Sequence, residues 1–415
     1  MPTLTDLLTF STLTDVDFVS GLVVLRNLDE EWVFFAWYHD ANYGNDEYGC
    51  TSLPNIFHNW LMKRSDIEAG NDTHINVLGN ECTDFVCTSA VYVPSKKILI
   101  LAGYHYTSDG NGYPAIYIID VSDPANPTII KHLQHSSAGA TYNYVYYSVK
   151  HDKILIGVRL GDTVRIYYGS YDEVLNANNI DDLPYIDGYR DICPIDEDRV
   201  WVLNPLTLAE AILDLSTMSV TSSSLGVLKL IRLRSKIAGF YKTGNNTVGI
   251  KIFDLDLNLL GDIDTGIAWT SRTLYAVDNR ALIIAGTDWA VVDETGIIAQ
   301  GTLSKSCLRG DRSRDGFILC TPGEGSTGTI RKLTPDTGYK IVKVSDTVVQ
   351  VLDLDGNPVA NKTVYVAEVR GSTASERNVQ KVSTPGAFTE LTTDSEGKVD
   401  LSSYAGKTVV IIVPP

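Results

Sequence analysis

The sequence predicts an all-β fold: a β-propeller of about seven four-stranded blades, followed by a small Ig-like β-sandwich. Three observations carry that reading. A short apolar run recurs seven times, an acidic residue closes a second run at a near-constant interval, and the last 70 or so residues change to a different turn chemistry. Internal repeats at this scale indicate stacked or radial architectures, in which each unit buries its faces against its neighbours.

The recurring run is Trp32-Val33-Phe34-Phe35-Ala36-Trp37-Tyr38, then Ile98 to Gly103 and Ile154 to Val158. Shorter copies lie at Val200 to Leu203, Ile237 to Tyr241, Ala281 to Gly286 and Gly316 to Cys320. Continuous β-branched and aromatic stretches bounded by Gly, Asn and Asp suit strands buried on both faces. The acidic residue is a second ruler. Asp120, Asp214, Asp254 and Asp293 each follow an apolar run, with Asp172 and Asp336 filling the slot less cleanly. From Asp120 onward the gaps are 52, 42, 40, 39 and 43 residues, close to the roughly 40–50 residues of a four-stranded blade. Six or eight blades would also fit this ruler, and seven is preferred. A long sandwich or barrel is disfavoured by the regularity, and no amphipathic helical pattern suggests βαβ units.

The propeller is expected to span 1–340, with a long Asn/Asp/Gly-rich insertion in the first blade at about 40–82. The N-terminal 20 residues alternate apolar and polar and are expected to supply the strand that closes the ring. The segment 341–415 is expected to be the sandwich.

Charge narrows the partners. Lys and Arg number 34 against 51 Asp and Glu, a net charge of −17, which argues against nucleic acid and against anionic membranes. No run of about 18 apolar residues exists for direct membrane insertion. The start, Met1-Pro2-Thr3-Leu4-Thr5-Asp6-Leu7, lacks the basic and apolar regions of a signal peptide. The six cysteines, Cys50, Cys82, Cys87, Cys193, Cys307 and Cys320, form no C-x-x-C pair. They are expected to be mostly reduced core residues, with Cys307–Cys320 or two of the first three as the candidate disulfides.

At Ala115-Ile116-Tyr117-Ile118-Ile119-Asp120-Val121-Ser122-Asp123-Pro124-Ala125-Asn126-Pro127 the chain resembles the LVIVD repeat of bacterial and archaeal β-propellers. Only this blade carries the full motif, so the resemblance implies a fold and not an activity. Beyond Tyr339, two turns are similar to those of Ig-like and carboxypeptidase-regulatory-like (transthyretin-like) domains. They are Asp355-Gly356-Asn357-Pro358-Val359 and Thr393-Asp394-Ser395-Glu396-Gly397. A propeller bearing such a sandwich resembles surface proteins of bacteria and archaea, and virion proteins of archaeal viruses and phages.

No catalytic motif is evident. All seven histidines, His39, His58, His74, His105, His132, His135 and His151, fall within the first 151 residues. His39-Asp40 and His105 follow the recurring runs of the first two blades, where a metal or acid–base site at the channel mouth would need them; half-buried loop histidines are the preferred reading. His132 and His135, three apart at a strand end, are a weak signal. Calcium is weighed at Asp353 to Asn357, where a hairpin turn is preferred, and at Asp254, Asp256, Asp262 and Asp264, which flank a turn. Arg309-Gly310-Asp311 is read as a chance match to an integrin motif. No metal, cofactor or catalytic residue is assigned.

The expectation is a non-enzymatic structural or recognition protein on a virion surface, as a tail, spike or vertex component. Its partners would be other virion or surface proteins and a host glycan or receptor. A microbial cell-surface or secreted adhesion propeller and a propeller enzyme are the alternatives. The expected interaction surface comprises Phe57, His58 and Trp60 in the first-blade insertion, with Tyr104, His105, Tyr106 and Tyr113 in the next loop.

Overall fold

Burial on both faces explains why the seven echoes become strands. Each forms the second strand of one blade: Trp32–His39, Ile98–Tyr106, Lys153–Leu160, Arg199–Leu203, Ile237–Lys242, Arg280–Ala285 and Ile318–Thr321. Ile98, Leu99, Ile100, Leu101 and Ala102 are all buried. Residues pointing both ways are covered, because each blade is packed between two others. The structure, a computed structural model, describes residues 2–10, 16–25, 30–39, 56–80, 83–107, 111–139, 143–270, 272–312, 318–321, 328–334, 339–353, 356–373, 383–385, 387–407 and 409–414.

Among the described residues the chain forms seven four-stranded antiparallel blades, a β-propeller. Within each blade the chain runs from an inner to an outer strand. The inner strands are Val16–Leu25, Phe85–Val93, Tyr144–Ser148, Asp191–Pro194, Lys229–Arg232, Arg272–Val277 and Arg309–Arg312. Neighbouring inner strands touch through the first six blades, and the seventh touches the first.

Closure comes from the N-terminus, as its alternating pattern implies. Thr3–Thr9 is the outer strand of blade seven, in antiparallel register Thr3↔Thr334 through Thr9↔Thr329. Asp6 pairs with the Arg331 Nε at 2.8 Å and with Lys305. A second latch lies near the axis, where the Val24 amide donates to the Asp311 carboxylate at 2.9 Å. Asp311 and Arg309 are both buried. The Arg-Gly-Asp sequence is therefore part of an inner strand and is not displayed.

The acidic ruler has a local cause. Asp120, Asp214, Asp254 and Asp293 each end or follow a third strand and accept the backbone N–H of Ser122, Ser216, Asp256 and Thr295 respectively. An Asp side chain closing its own turn in this way initiates the hairpin to the outer strand. Asp172 does not play this part. It lies in a short helix, Tyr171–Asn176, whose cap is Ser170 with Glu173. Asp336 falls outside the described residues.

Blade one departs from the expected long loop. Ile56–Lys63 is its third strand and Ile75–Asn76 its outer strand, with a one-turn helix, Arg64–Ala69, between them. Arg64 in that helix is tied to the buried Glu31 at 2.8 Å. Residues 40–55 lie outside the described residues.

Beyond residue 338 the strands pack on a core of their own, which includes Val349, Val351, Val364, Val366, Val399 and Leu401. Tyr339–Ser345, Val348–Asp353 and Lys398–Asp400 form one sheet. The long strand Thr363–Thr373 pairs with Thr389–Thr392 and Val409–Ile412. The same strand then continues to the propeller axis. Its far end pairs with the inner strand of blade three, Ser148↔Gly371 through Tyr146↔Thr373. At that end of the propeller the Arg234 guanidinium lies 3.6 Å from the Tyr365 ring centroid and pairs with Asp278.

Cys307 and Cys320, one of the candidate pairs, are disulfide-bonded, with Cα atoms 5.6 Å apart. Cys320 lies within the pairing of the inner and second strands of blade seven, opposite Gly310, and Cys307 just precedes the inner strand. Cys87 and Cys193 are buried, and Cys50 and Cys82 lie outside the described residues.

The inner strands of blades three to five carry a buried charged cluster. Asp191 is buried and bonded to Lys229 at 2.8 Å and to Arg190 at 2.7 Å. Both cations lie over the Tyr144 ring. Burial pushes the Asp191 carboxyl up, but Lys229 and Arg190 outweigh it and hold it below its usual range.

Two predictions follow from this wiring. Asp191→Ala leaves buried cations without their shared anion, and chemical denaturation should show a loss of about 3–5 kcal/mol. At Asp6, burial raises the pKa, while hydrogen bonds from Lys305 and Arg331 lower it further, for a net depression below 3.8. Such a group stabilises the fold above its unfolded pKa and stops doing so as pH falls through the folded one. The stability gap between the wild type and Asp6→Asn should therefore be full at pH 7 and close below about pH 4.

Candidate functional site

The expected surface residues separate into a buried set and a partly exposed set. Phe57, His58 and Trp60 are in the third strand of blade one and are buried. They do not lie on a displayed loop. His58 and His74 flank Trp60, the latter stacked at 4.0 Å. Phe57 does reach the second set: its ring stacks on Tyr106 at 5.9 Å and 2°. Tyr104, His105 and Tyr106 end the second strand of blade two, and Tyr113, in the third strand, lies opposite His105.

His105 is the centre of a cluster that the sequence reading did not assemble. Its Nδ1 is 2.8 Å from the Asp84 carboxylate, so that nitrogen carries the proton and donates. Its Nε2 is 2.8 Å from the Tyr117 hydroxyl and 3.2 Å from the His132 Nε2. Tyr117 and His132 are opposite each other on the third and outer strands, with rings stacked at 4.4 Å and 11°. Between Tyr117 and His105 on that blade surface lie Ala115 and Gly103, which are paired in register. Their small size lets two long side chains meet across four residues of strand. Phe85 packs edge-on against Tyr117 at 4.9 Å.

Electrostatics follow from this packing. His132 is exposed on one side, but the Tyr117 ring and its neighbours cover the other. Burial, then the nearby His105, pull its pKa down to about 4, against a smaller upward pull from Asp84. Burial, assisted by Asp84, pushes the Tyr117 phenol up to about 12. At neutral pH His132 and the Tyr117 phenol are thus both neutral.

His105 is in the strand Ile98–Tyr106 and not in a loop, as the preferred reading had it, and it does not fit the channel-mouth alternative either. His105 points towards the third and outer strands of its own blade. It lies at the end where inner strands begin, opposite the end entered by Thr363–Thr373. The side chain of His39 and all of Asp40 lie outside the described residues. His132 and His135 do not act together, since His135 turns to the Tyr167 hydroxyl of blade three at 2.9 Å. The acidic turns weighed for calcium are engaged within the chain. Asp254 is capped by Asn258, Asp262 accepts from Tyr241, Asp264 accepts from Thr247, and Asp353 accepts from Asn357. Among the described residues no group of three or more His, Cys, Asp or Glu converges as a metal site, and no helix is long and apolar enough to cross a membrane.

A different surface feature lies on the rim. Leu259 and Leu260 on the outer strand of blade five are 54% and 44% exposed, and Ile297 and Ile298 on that of blade six are 39% and 45% exposed. The two outer strands adjoin, with Gly261 facing the backbone of Glu294.

No protein-family model matches the chain, and no curated protein is similar to it in sequence. Solved structures that it resembles include BBS1N in complex with ARL6DN, at 11% identity and a TM-score of 0.48, covering 81% of this chain and 98% of that one. Another is the β-propeller domain of Cps50 (Swd1) from Myceliophteria thermophila, at 9% and 0.45, covering 81% and 100%. A third is Hsv2p of Kluyveromyces lactis, at 11% and 0.40, covering 85% and 93%.

The stacked contact between blades one and two yields a prediction. Phe57→Ala removes a buried ring that bridges them, and thermal unfolding should report a loss of about 3–5 kcal/mol. Tyr113→Ala should change stability by under about 1 kcal/mol if that residue contributes only to display.

Proposed function

We propose that this chain is a non-enzymatic recognition and assembly protein, a surface component of a virion. In this reading the propeller is of LVIVD type and the C-terminal strands are an Ig-like module. The observation that carries it is the rim of blades five and six. There, adjoining edge strands leave Leu259, Leu260, Ile297 and Ile298 exposed together. Apolar pairs on an unpaired strand edge are a liability in an isolated protein and a docking surface in an assembled one.

Other features favour the same reading. Propeller enzymes need reactive groups at an open channel mouth, and here Thr363–Thr373 is added to the inner strand of blade three at one end. The Cys307–Cys320 disulfide suits a protein that spends its life outside a reducing cytoplasm. The LVIVD assignment rests on the Asp123-Pro124 turn, in which Asp123 accepts the Ala125 amide and the Asn126 side chain. The Ig-like assignment rests on the separate core and on Asp394, which accepts the Glu396 and Lys398 amides in its hairpin turn.

Antibody raised against the purified chain should label the surface of intact particles from the same source. Leu260→Glu with Ile298→Glu should abolish the chain's incorporation while leaving its fold intact by circular dichroism. Label restricted to cell envelopes would favour the adhesion alternative. Unchanged incorporation of the double variant would sink the rim as the docking surface.

A further inference from the structure

We propose that His105 and His132 form a binding site for a single borderline transition-metal ion of the Zn²⁺ or Cu²⁺ class, on blade two, with the Tyr117 oxygen beside it and Asp84 orienting His105.

The geometry is that of two ligands set for one ion. Metal–imidazole bonds of 2.0–2.1 Å at a near-tetrahedral angle place two donor nitrogens ~3.3 Å apart. The two Nε2 atoms stand 3.2 Å apart. As a plain hydrogen bond the arrangement is crowded. The His105 Nε2 has one in-plane position for a partner, and both the Tyr117 hydroxyl and the His132 Nε2 lie within reach of it. An ion between the imidazoles uses both lone pairs at once.

The surroundings match what such a site requires. Asp84 takes the Nδ1–H of His105 at 2.8 Å, which fixes the tautomer whose Nε2 lone pair faces His132; a carboxylate behind a ligating histidine serves this purpose in metal sites. His132 is held by stacking on Tyr117 at 4.4 Å and by its cross-strand position opposite that residue. The ligands thus come from the second and outer strands, with Tyr117 on the strand between them. The donor set is rigid before any ion arrives. His132 is solvent-exposed on its free side, so an ion has access and water completes its coordination. Imidazole donors select the zinc and copper class over calcium or magnesium. Two other histidines are carboxylate-paired, His74 with Asp72 and His151 with Asp198, and serve as controls.

Equilibrium dialysis of the full chain against Zn²⁺ and Cu²⁺ tests the site. One equivalent per chain is expected. His105→Gln or His132→Gln should abolish binding, Asp84→Asn should weaken it by about 10–100-fold, and His74→Gln and His151→Gln should leave it unchanged. Electron paramagnetic resonance of the Cu²⁺-loaded wild type needs no variant and should show two imidazole nitrogens. Sub-stoichiometric binding, binding that survives the double His105→Gln/His132→Gln variant, or a Cu²⁺ spectrum with fewer than two imidazoles would overturn the proposal.

Discussion

Ring closure is the constraint on which the rest of this molecule depends. A blade has two apolar faces, and both are covered only when every blade has two neighbours. Closure here is made twice, at different radii. The outer latch is the N-terminal strand Thr3–Thr9 paired with Thr329–Thr334, and the inner one is the Val24 amide on the Asp311 carboxylate. Both join residues about 300 positions apart in the chain. The loop entropy of such contacts must be met before the last blade faces are buried. The disulfide between Cys307 and Cys320 stiffens the blade that receives both latches.

With the ring closed, polar groups near the axis are forced into one another's company. Asp191, Lys229, Arg190 and Tyr144 come from blades three, four and five and pair with one another away from water. Buried charges of this kind contribute little net stability, but they penalise any blade register that separates them. The strand Thr363–Thr373 adds a second consequence. By pairing with Tyr144–Ser148 it joins the C-terminal core to the propeller through backbone hydrogen bonds and the Arg234–Tyr365 contact.

The outer halves of the blades follow a different logic. There the strands are covered on fewer sides, and side chains are free to do chemistry or meet partners. The exposed leucines and isoleucines of blades five and six lie in this zone, as does His132 of the His105–His132 pair of blade two. Neither is demanded by the fold.

The propeller was legible in the sequence because its causes are local. A strand buried on both faces must be continuously apolar, so Ile98–Ala102 and Ile154–Val158 announce themselves. A turn closed by an Asp side chain must carry Asp at that position, so Asp120, Asp214, Asp254 and Asp293 keep the period. The inner strands were less legible. Nothing local marks Asp191, Lys229 or Asp311, whose partners come from other blades. Phe57, His58 and Trp60 looked like loop residues because Asn and Gly surround them, whereas the pairing of Trp32–His39 with Ile56–Lys63 buries them. His105 was visible as a candidate, but Asp84, Tyr117 and His132 lie 12 to 27 positions away from it. No spacing rule joins them, since their meeting depends on the register of four strands and on the small residues Gly103 and Ala115 between them. Composition and local pattern thus determined the blades and favoured seven of them, while the exact count, the latches, the charged axis and the histidine cluster were decided only when distant strands came into register.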